Sequence, residues 1–515
     1  MRVVTARESA AWDAATIAGG TPSRALMERA GAAAAGEIAL RYRDDLRKGA
    51  LVLAGPGNNG GDGWVVARAL AAVGHTVRVV SPAGTRSADA VAERQACGSV
   101  LRDDGGSGRL EYCGEGIVVD ALLGTGATGP PAGAIAPALS VLTAAREHGA
   151  IVVALDVPTG LDATTGVAHG AVAAHLTITF GGLKPAHLVG RTLCGRVIVV
   201  DIGLSGEPVA GHAVPNAVGE RWVAGVVPPF AAEIHKGVRG KLVIVGGDRG
   251  MAGAAILAAR AALRSGIGMV RLLVHPESLE AVQRAEPAAL AATWSTSGDA
   301  LKRDVLEWAD ALVVGPGLGR STDAEQLLRT LLARWRGPVL VDADALNAFA
   351  GRLRELSALI GGTGALLTPH PVEMARLVGT TVEEVLARRF EVGSEVAREG
   401  DFAVLLKGVP TVISGSNGVR LVSAAGTPTL ATGGAGDVLS GIGGTMLAQI
   451  PDAATAGAAA AWVHGRAAEI ASPTSGIIRG AVLNDVLDAL REVWDLDATP
   501  LRYPVLFELG PVGGA

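Results

Sequence analysis

Along most of its 515 residues the chain alternates short β-branched runs with alanine- and leucine-rich stretches of helical period. That alternation confines it to a parallel α/β architecture, in which each strand is followed by a covering helix. In the first half the strand candidates are 51–54, 77–81, 117–120, 151–156, 176–180 and 197–201, with helical stretches such as 64–73 and 136–148 between them. These runs are apolar at nearly every position rather than every second one, which predicts strands buried on both faces. Ahead of them, 23–42 reads as a helix with Leu26, Ala30, Ala33, Ala34 and Ile38 on one stripe. Strand periodicity stops after Asp201, a Gly-, Pro- and Val-rich stretch with Pro228-Pro229 follows, and 241–245 opens a fresh strand. Further strands are predicted at 269–274, 311–314, 339–342, 365–368, 403–407 and 411–414, and helices from Asp437 through 463–470 to 484–494. The expected division is a first domain at 1–210, a linker at 211–230, a second domain at 231–497, and a tail at 498–515 that contributes little. The two halves share an architecture but no motif.

Composition narrows the partners. Aromatics are 3% of the chain, so Val, Leu, Ile and Ala must fill the cores, and a hydrophobic share of 49% excludes global disorder. A net charge of −5 gives no general affinity for nucleic acid or an acidic membrane. Phosphate must therefore be held by local glycine loops and helix starts. Cys97, Cys113 and Cys194 are scattered without a CxxC pair, which argues against a disulfide framework or a zinc site and suits a reducing cytoplasm. Residues 1–12 lack the basic-then-apolar pattern of a signal peptide. No stretch reaches the ~18 uninterrupted apolar residues of a membrane helix; 252–263 is apolar, but Arg260 and Arg264 mark an exposed face, so it reads as a core helix. Alanine-rich helices such as 456–461 offer a surface for a neighbour, and a homo-oligomer is expected.

In the second half the sharpest signal is Ala431-Thr-Gly-Gly-Ala-Gly-Asp437 ahead of the apolar helical run 438–446. Small residues let backbone N–H groups converge at a helix start, where unpaired donors and the positive dipole end attract anions. Asp437 places a carboxylate beside that anion hole, an arrangement suited to taking a proton from a hydroxyl while phosphate charge is held. The plainer alternative is a glycine turn with Asp437 as a helix cap. Other residues also read two ways. His370 between two prolines binds a ligand or braces a turn, Lys407 meets a phosphate or snorkels to solvent, and Asp342 and Asp344 serve a ligand or cap a helix at 346–350.

The loop resembles the anion loop of the ribokinase-like fold. With it come Lys241-Leu-Val-Ile-Val-Gly-Gly-Asp248, Gly315-Pro-Gly-Leu-Gly319, Val341-Asp-Ala-Asp-Ala-Leu-Asn347, Leu367-Thr-Pro-His-Pro-Val-Glu373 and Leu406-Lys-Gly-Val-Pro-Thr411. The ordered set, over about 234–490, resembles the ADP-dependent NAD(P)H-hydrate dehydratases. The resemblance implies adenine-nucleotide contacts at Lys407, Gly408, Val409, Pro410, Thr411 and Gly436. It also implies substrate contacts at Ala254, Gly317, His370 and Asp437, with Mg2+ assisting. Ala435 stands where many relatives have Thr, which keeps the backbone donors and removes a hydroxyl.

The first half carries Ala54-Gly-Pro-Gly-Asn-Asn-Gly-Gly-Asp-Gly63 between a strand and a helix starting at Trp64. It is a phosphate-cradling arrangement without the common GxGxxG spacing; its two Asn carbonyls suit a hard cation or a hydroxyl-rich ligand, or else form a simple Asn-Gly turn. Asp120-Ala-Leu-Leu-Gly-Thr-Gly126 with Gly129-Pro130, and Asp156-Val-Pro-Thr-Gly-Leu-Asp162, emerge at the same sheet edge. Together with Leu26-Met-Glu-Arg-Ala-Gly31 and Phe180-Gly-Gly-Leu-Lys-Pro185, they make about 5–204 similar to the NAD(P)H-hydrate epimerases, a Rossmann-like family. That likeness implies a potassium ion on Asn59, Asp120 and Thr159. It implies hydrated dinucleotide on Asn58, Asn59, Gly60, Gly61 and Asp62, on Gly124, Thr125, Gly126, Ala127, Thr128, Gly129 and Pro130, and on Asp156. Asp156 is the expected acid–base residue, its alternative being a cap on the Pro158 turn; Lys184 either assists by stabilising charge or, on the plainer reading, is simply exposed. His175 stands where relatives often have Asp, upstream of the strand and away from its ligand edge. The whole chain resembles a bifunctional NAD(P)H-hydrate repair enzyme. The rival expectation is a ribokinase-like small-molecule kinase fused to a non-catalytic nucleotide-binding module.

Overall fold

The structure, a computed structural model, describes residues 1–98, 110–208, 214–294, 301–472 and 479–512. The chain forms two compact units, Met1–Val214 with Pro500–Ala515, and Pro215–Thr499.

In the first unit the strands are β1 (Ala50–Ala54), β2 (Val77–Val80), β3 (Ile117–Ala121), β4 (Ile151–Leu155), β5 (Leu176–Phe180) and β6 (Arg196–Val200). They pair in parallel in the order β6-β5-β4-β3-β1-β2. Successive side chains point to opposite faces, and both faces are covered. Val52, Val119, Val153 and Ile178 pack with helix Ser23–Arg41, while Leu51, Val118, Val152 and Ala154 pack under helix Ala136–Glu147. The stripe predicted on the first of these helices holds, with Leu26, Ala30, Ala34 and Ile38 buried.

Two local expectations change. The helix expected from Trp64 starts at Asn58, with Gly57 as its N-cap, so 58–62 form helical turns rather than a loop. Glycine makes this possible, since a Cβ at Gly60 would stand 2.0 Å from the carbonyl oxygen of Gly55. The tail is also structural. Val505–Leu509 adds an antiparallel strand to the edge of β6, and Arg502 pairs with the buried Glu37 while Glu508 pairs with Arg41 and Arg196. Its ion-pairing alternates with apolar positions, too weak a pattern to stand out from a Pro- and Gly-containing terminus.

The second unit contains β7 (Asn216–Ala217), β8 (Lys241–Val245), β9 (Met269–Val274), β10 (Leu290–Thr293), β11 (Ala311–Val314), β12 (Val339–Val341), β13 (Leu366–Leu367), β14 (Ala403–Leu406), β15 (Thr411–Ser414) and β16 (Arg420–Ser423). The sheet order is β10-β9-β8-β11-β12-β13-β14-β15-β16-β7, parallel except for the two pairings of β15. Helices Ala252–Arg264, Ala435–Gln449, Ala453–Ala471 and Leu483–Val493 cover one face; Thr322–Arg334, Leu353–Ile360 and Val392–Gly400 cover the other. The expected linker 211–230 is largely part of this unit, because β7 pairs with β16 and Glu220–Val226 is helical. A two-residue strand gives no period to read. Ala456, Ala458, Ala459 and Ala460 are fully buried in the unit's own core, which removes the reason for expecting them to meet a neighbouring copy. Among the described residues, no helix is long and apolar enough to cross a membrane.

Candidate active sites

At the carboxyl ends of β1, β3 and β4 lies a cavity of about 590 Å3, bordered by Asp13, Asn59, Asp62, Gly124, Asp156 and Lys184 among others. β1 has β2 on one side and β3 on the other, so the winding reverses here and the connecting loops part, the usual place for a ligand in an open α/β sheet. Asp156 follows β4 with φ of 65°, a strained left-handed backbone for a non-glycine residue. Its Oδ1 meets Lys184 Nζ at 2.7 Å and accepts from Thr179 Oγ1 at 3.1 Å; its Oδ2 accepts the Thr125 N–H at 3.0 Å. Burial pushes this carboxyl up, but Lys184 more than offsets that and holds it below the usual range. Lys184 is therefore not the exposed lysine the sequence suggests; it is 1% exposed, with its charge spent on Asp156. Burial, helped by Lys184, lowers His187 to about 4, so its ring is neutral. Nδ1 accepts the Lys184 N–H at 3.0 Å, which assigns the proton to Nε2, 2.8 Å from the Asp156 carbonyl oxygen.

Beside this pair, Asp120 accepts from Thr159 Oγ1 at 2.6 Å and from the Thr159 N–H at 2.8 Å. Thr159 Oγ1 in turn accepts the Leu123 N–H at 3.1 Å. Asn59 has both Oδ1 and Nδ2 buried with no partner. An orphaned buried amide costs roughly 1–3 kcal/mol, a penalty that a group bound at its carbonyl oxygen would relieve. Asp62 is a second surprise. It is 9% exposed, and burial, with the charges of Asp156 and Asp13 adding, pushes its carboxyl well above the ordinary value.

In the second unit Gly434, at φ of 95°, is the N-cap of helix Ala435–Gln449, and no side chain caps that helix. The Ala435 N–H is taken by the Thr432 carbonyl at 3.2 Å, which leaves the Gly436 and Asp437 N–H groups of the first turn to face the open side of the loop. Burial raises Asp437 to about 7, with Asp342 and Asp344 adding and Lys407 opposing. Lys407 Nζ lies 2.8 Å from Asp342 Oδ1 and 3.7 Å from Glu373 Oε2. Burial opposes the lysine's charge, but these carboxylates hold it above the ordinary value. Ser440, one turn past Asp437, donates to Asp342 Oδ2 at 2.7 Å. A Cβ on Gly436 would stand 3.6 Å from Lys407 Nζ, which puts the anion loop against this ion pair.

Lys407 does not snorkel to solvent. Asp342 makes no side-chain cap on Ala343–Asn347, the helix found in place of 346–350, while Asp344 accepts the Gly319 N–H at 3.0 Å. His370 does cap a helix, accepting from Val372 N–H at 3.1 Å and Glu373 N–H at 3.3 Å; the ring is half exposed, its pKa lowered by burial. Ala254 and Gly317 are neighbours, a Cβ on Gly317 falling 2.9 Å from that of Ala254. Gly408 and Val409 are exposed in the β14–β15 turn, where Thr411 Oγ1 donates to the Gly408 carbonyl at 3.0 Å. Asp13, Thr179, His187, Ser440 and Glu373 escaped notice in the sequence. Only Glu373, inside the Pro-His-Pro-Val-Glu run, carried a signal.

Two parallel α/β units, each with carboxylates gathered at a glycine-rich helix start, have the layout of proteins that bind phosphate-bearing ligands at the edge of an open sheet. Residues 242–491 match the family model described as NAD(P)H-hydrate dehydratase, and 23–186 match that of the YjeF-related protein N-terminus. The chain is 36% identical over 497 residues to the bifunctional NAD(P)H-hydrate repair enzyme Nnr of Moorella thermoacetica, covering 91% of this chain and 92% of that protein. It is 35% identical over 483 residues to its Escherichia coli namesake, covering 93% and 91%. A crystal structure of the ADP/ATP-dependent NAD(P)H-hydrate dehydratase of Bacillus subtilis, co-crystallised with ATP/Mg2+, matches with a TM-score of 0.48 at 29% identity, over 55% of this chain and 98% of that one. The chain belongs to the bifunctional NAD(P)H-hydrate repair enzymes.

Proposed function

We propose that the first unit interconverts the two epimers of hydrated NADH or NADPH, and that the second dehydrates the S epimer at the expense of ADP. The observation that carries this reading is Asp437, a carboxyl poised at about 7 on a helix start with no side-chain cap and near the partly buried Lys407. A base of that pKa works at neutral pH. The ring hydroxyl oxygen attacks the terminal phosphoryl group of ADP, Asp437 takes its proton, and the bond to AMP breaks. The amides of the loop and Lys407 hold the charge that develops. Phosphate, a far better leaving group than hydroxide, then departs as the ring-nitrogen lone pair pushes in, and loss of a proton from the next carbon restores the dihydropyridine. Ala254, Gly317 and His370 would hold the substrate with Asp437; Lys407, Gly408, Val409, Pro410, Thr411 and Gly436 would hold the nucleotide.

The ADP preference rests on the likeness at 407–411. Mg2+ requires only one or two carboxylates beside the phosphate oxygens it brings with it. Asp344, close enough to raise Asp437, would be the residue to reach it, because both oxygens of Asp342 are engaged by Lys407 and Ser440. When bound, it neutralises phosphoryl charge. In the first unit, Asn59, Asp120 and Thr159 would hold potassium, which fits the orphaned Asn59 carbonyl and would fix the helix start against the β3 and β4 loops. Residues 58–62 and 124–130 with Asp156 would hold the dinucleotide. Three free cysteines suit a cytoplasmic setting.

Supplying the protein with a mixture of both epimers and ADP tests the reading. NAD(P)H absorbance should return from the whole mixture, with AMP and phosphate released. A stable phosphorylated product without returning absorbance would show a kinase. Recovery limited to the S epimer, with the R epimer left at its spontaneous rate, would make the first unit a binding module.

A further inference from the structure

The cavity of the first unit holds an acid that neither cation binding nor the Asp156–Lys184 pair uses. A hydrated dihydronicotinamide carries its hydroxyl on the carbon bonded to the ring nitrogen. Inverting such a centre without redox chemistry means breaking the C–O bond and adding water to the opposite face. A proton must reach the departing oxygen, and another must leave the incoming water. In the resting site Asp156 carries no proton to supply the first. It is pinned in its ionised form by Lys184, Thr179 and the Thr125 amide.

We propose that Asp62 is the proton donor that releases the ring hydroxyl during epimerisation, with Asp156 on the other side of the ring receiving the proton of the returning water. The proposal deepens the epimerase reading and rests on it. Asp62 is about nine-tenths buried and borders the cavity, and its carboxyl has no hydrogen bond or ion pair among the described residues. It sits on helix Asn58–Ala72, which follows β1, whereas Asp156 follows β4, and β3 lies between those strands. Both carboxyls border the same cavity of about 590 Å3, which has room for a nicotinamide ring. The charged groups facing Asp62 are Asp156, Asp13 from helix Ala6–Ala18, and Lys184. Burial and the two carboxylates favour its neutral form; the one opposing charge, Lys184, is engaged 2.7 Å from Asp156. Two carboxyls driven to opposite protonation states within one site is the usual signature of an acid and a base.

The step balances without an outside reagent. The Asp62 proton goes to the hydroxyl oxygen, which leaves as water with the C–O pair, while the nitrogen lone pair forms the C=N bond of a ring cation facing Asp156. Water adds from the Asp156 side, the C=N pair returns to nitrogen, and Asp156 Oδ2, which accepts only the Thr125 amide, takes the proton. Exchange with solvent resets both groups, and the reverse reaction uses them in swapped roles.

The test is epimer exchange by the full chain, followed by NMR over a range of pH for wild type, Asp62→Asn, Asp62→Glu and Asp13→Asn. Asp62→Asn should lower kcat by about a hundredfold or more while KM stays within about threefold. The wild-type rate should fall on the alkaline side as the donor ionises, and Asp62→Glu should restore both rate and limb. Asp13→Asn should move that limb to lower pH, since one of the charges favouring the neutral form is gone. Wild-type kcat in Asp62→Asn, a loss confined to KM, or abolition of turnover by Asp13→Asn in its place would each overturn the assignment. A wild type that exchanges epimers no faster than solution does would instead defeat the epimerase reading itself.

Discussion

Replacing Asp437 by Asn should abolish dehydration and, at and above neutral pH, make the second unit harder to melt. Burial lifts the carboxyl from 3.8 to about 7, Asp342 and Asp344 adding and Lys407 opposing. Unfolding returns it to about 3.9. Below that value both states are protonated and the site costs nothing. As pH rises toward 7 the unfolded chain ionises and the native site does not, so stability falls; above 7 the native carboxylate ionises too and the loss levels off. A shift of three units is worth about 4 kcal/mol. Asp437 keeps some solvent access and has Lys407 nearby, so half of that, about 2 kcal/mol, is the quantity to test. For a unit of this size it corresponds to about 4 °C. Six of the eight tryptophans (Trp222, Trp294, Trp308, Trp335, Trp462 and Trp494) lie in the second unit, so fluorescence melting of the full chain reports mainly on it. Melting wild type and Asp437→Asn without nucleotide from pH 4.5 to 8.5 should show a gap that opens with pH and flattens above 7. A gap independent of pH, or a variant that melts lower at pH 8, would refute the claim that the native site holds this carboxyl neutral. Retained ADP-driven dehydration in the variant would refute its role as base.

Other consequences can be measured as directly. Ending the chain at Thr499 removes the Val505–Leu509 strand with its two buried side chains, Val505 and Leu509. About 3 kcal/mol or more should be lost from the first unit, lowering epimer exchange and its protection from hydrogen exchange; unchanged protection in β6 would count against this. Lys407→Met should raise the pH at which dehydration reaches half its maximum, because the cation that favours ionised Asp437 is gone; a pH–rate profile that does not move would separate Lys407 from the base. Exchanging potassium for lithium should slow epimerisation and leave dehydration at its rate, and equal epimer exchange in both salts would remove the cation from Asn59, Asp120 and Thr159.

The sequence made legible what is written locally. Glycine strings at strand ends located both sites, because a backbone that must approach another backbone leaves no room for a side chain, and Gly60 against Gly55 shows the constraint. The long apolar strands were visible for the same reason, whereas β7, β13 and the strand Val505–Leu509 are too short or too irregular to carry a period. Lys184 could not be read, since its burial depends on Thr179 and Asp156 arriving from other segments. Asp13 could not either, lying on a helix with only Trp12 and Thr16 buried. What a motif cannot encode is the protonation state that the surrounding structure imposes. Asp156 and Asp437 occupy like positions, each at the edge of a glycine-rich loop, and each has a lysine nearby. At Asp156 the lysine is in contact and unshared, so the charge is pinned; at Asp437 the lysine is claimed by Asp342 and Glu373, so burial wins and the carboxyl is left poised to take a proton. The difference between a carboxylate ionised throughout and one that stays neutral up to about 7 therefore lies in which carboxylate holds the lysine, a choice made by β12 and the helix Pro371–Val378, far from the motif in sequence.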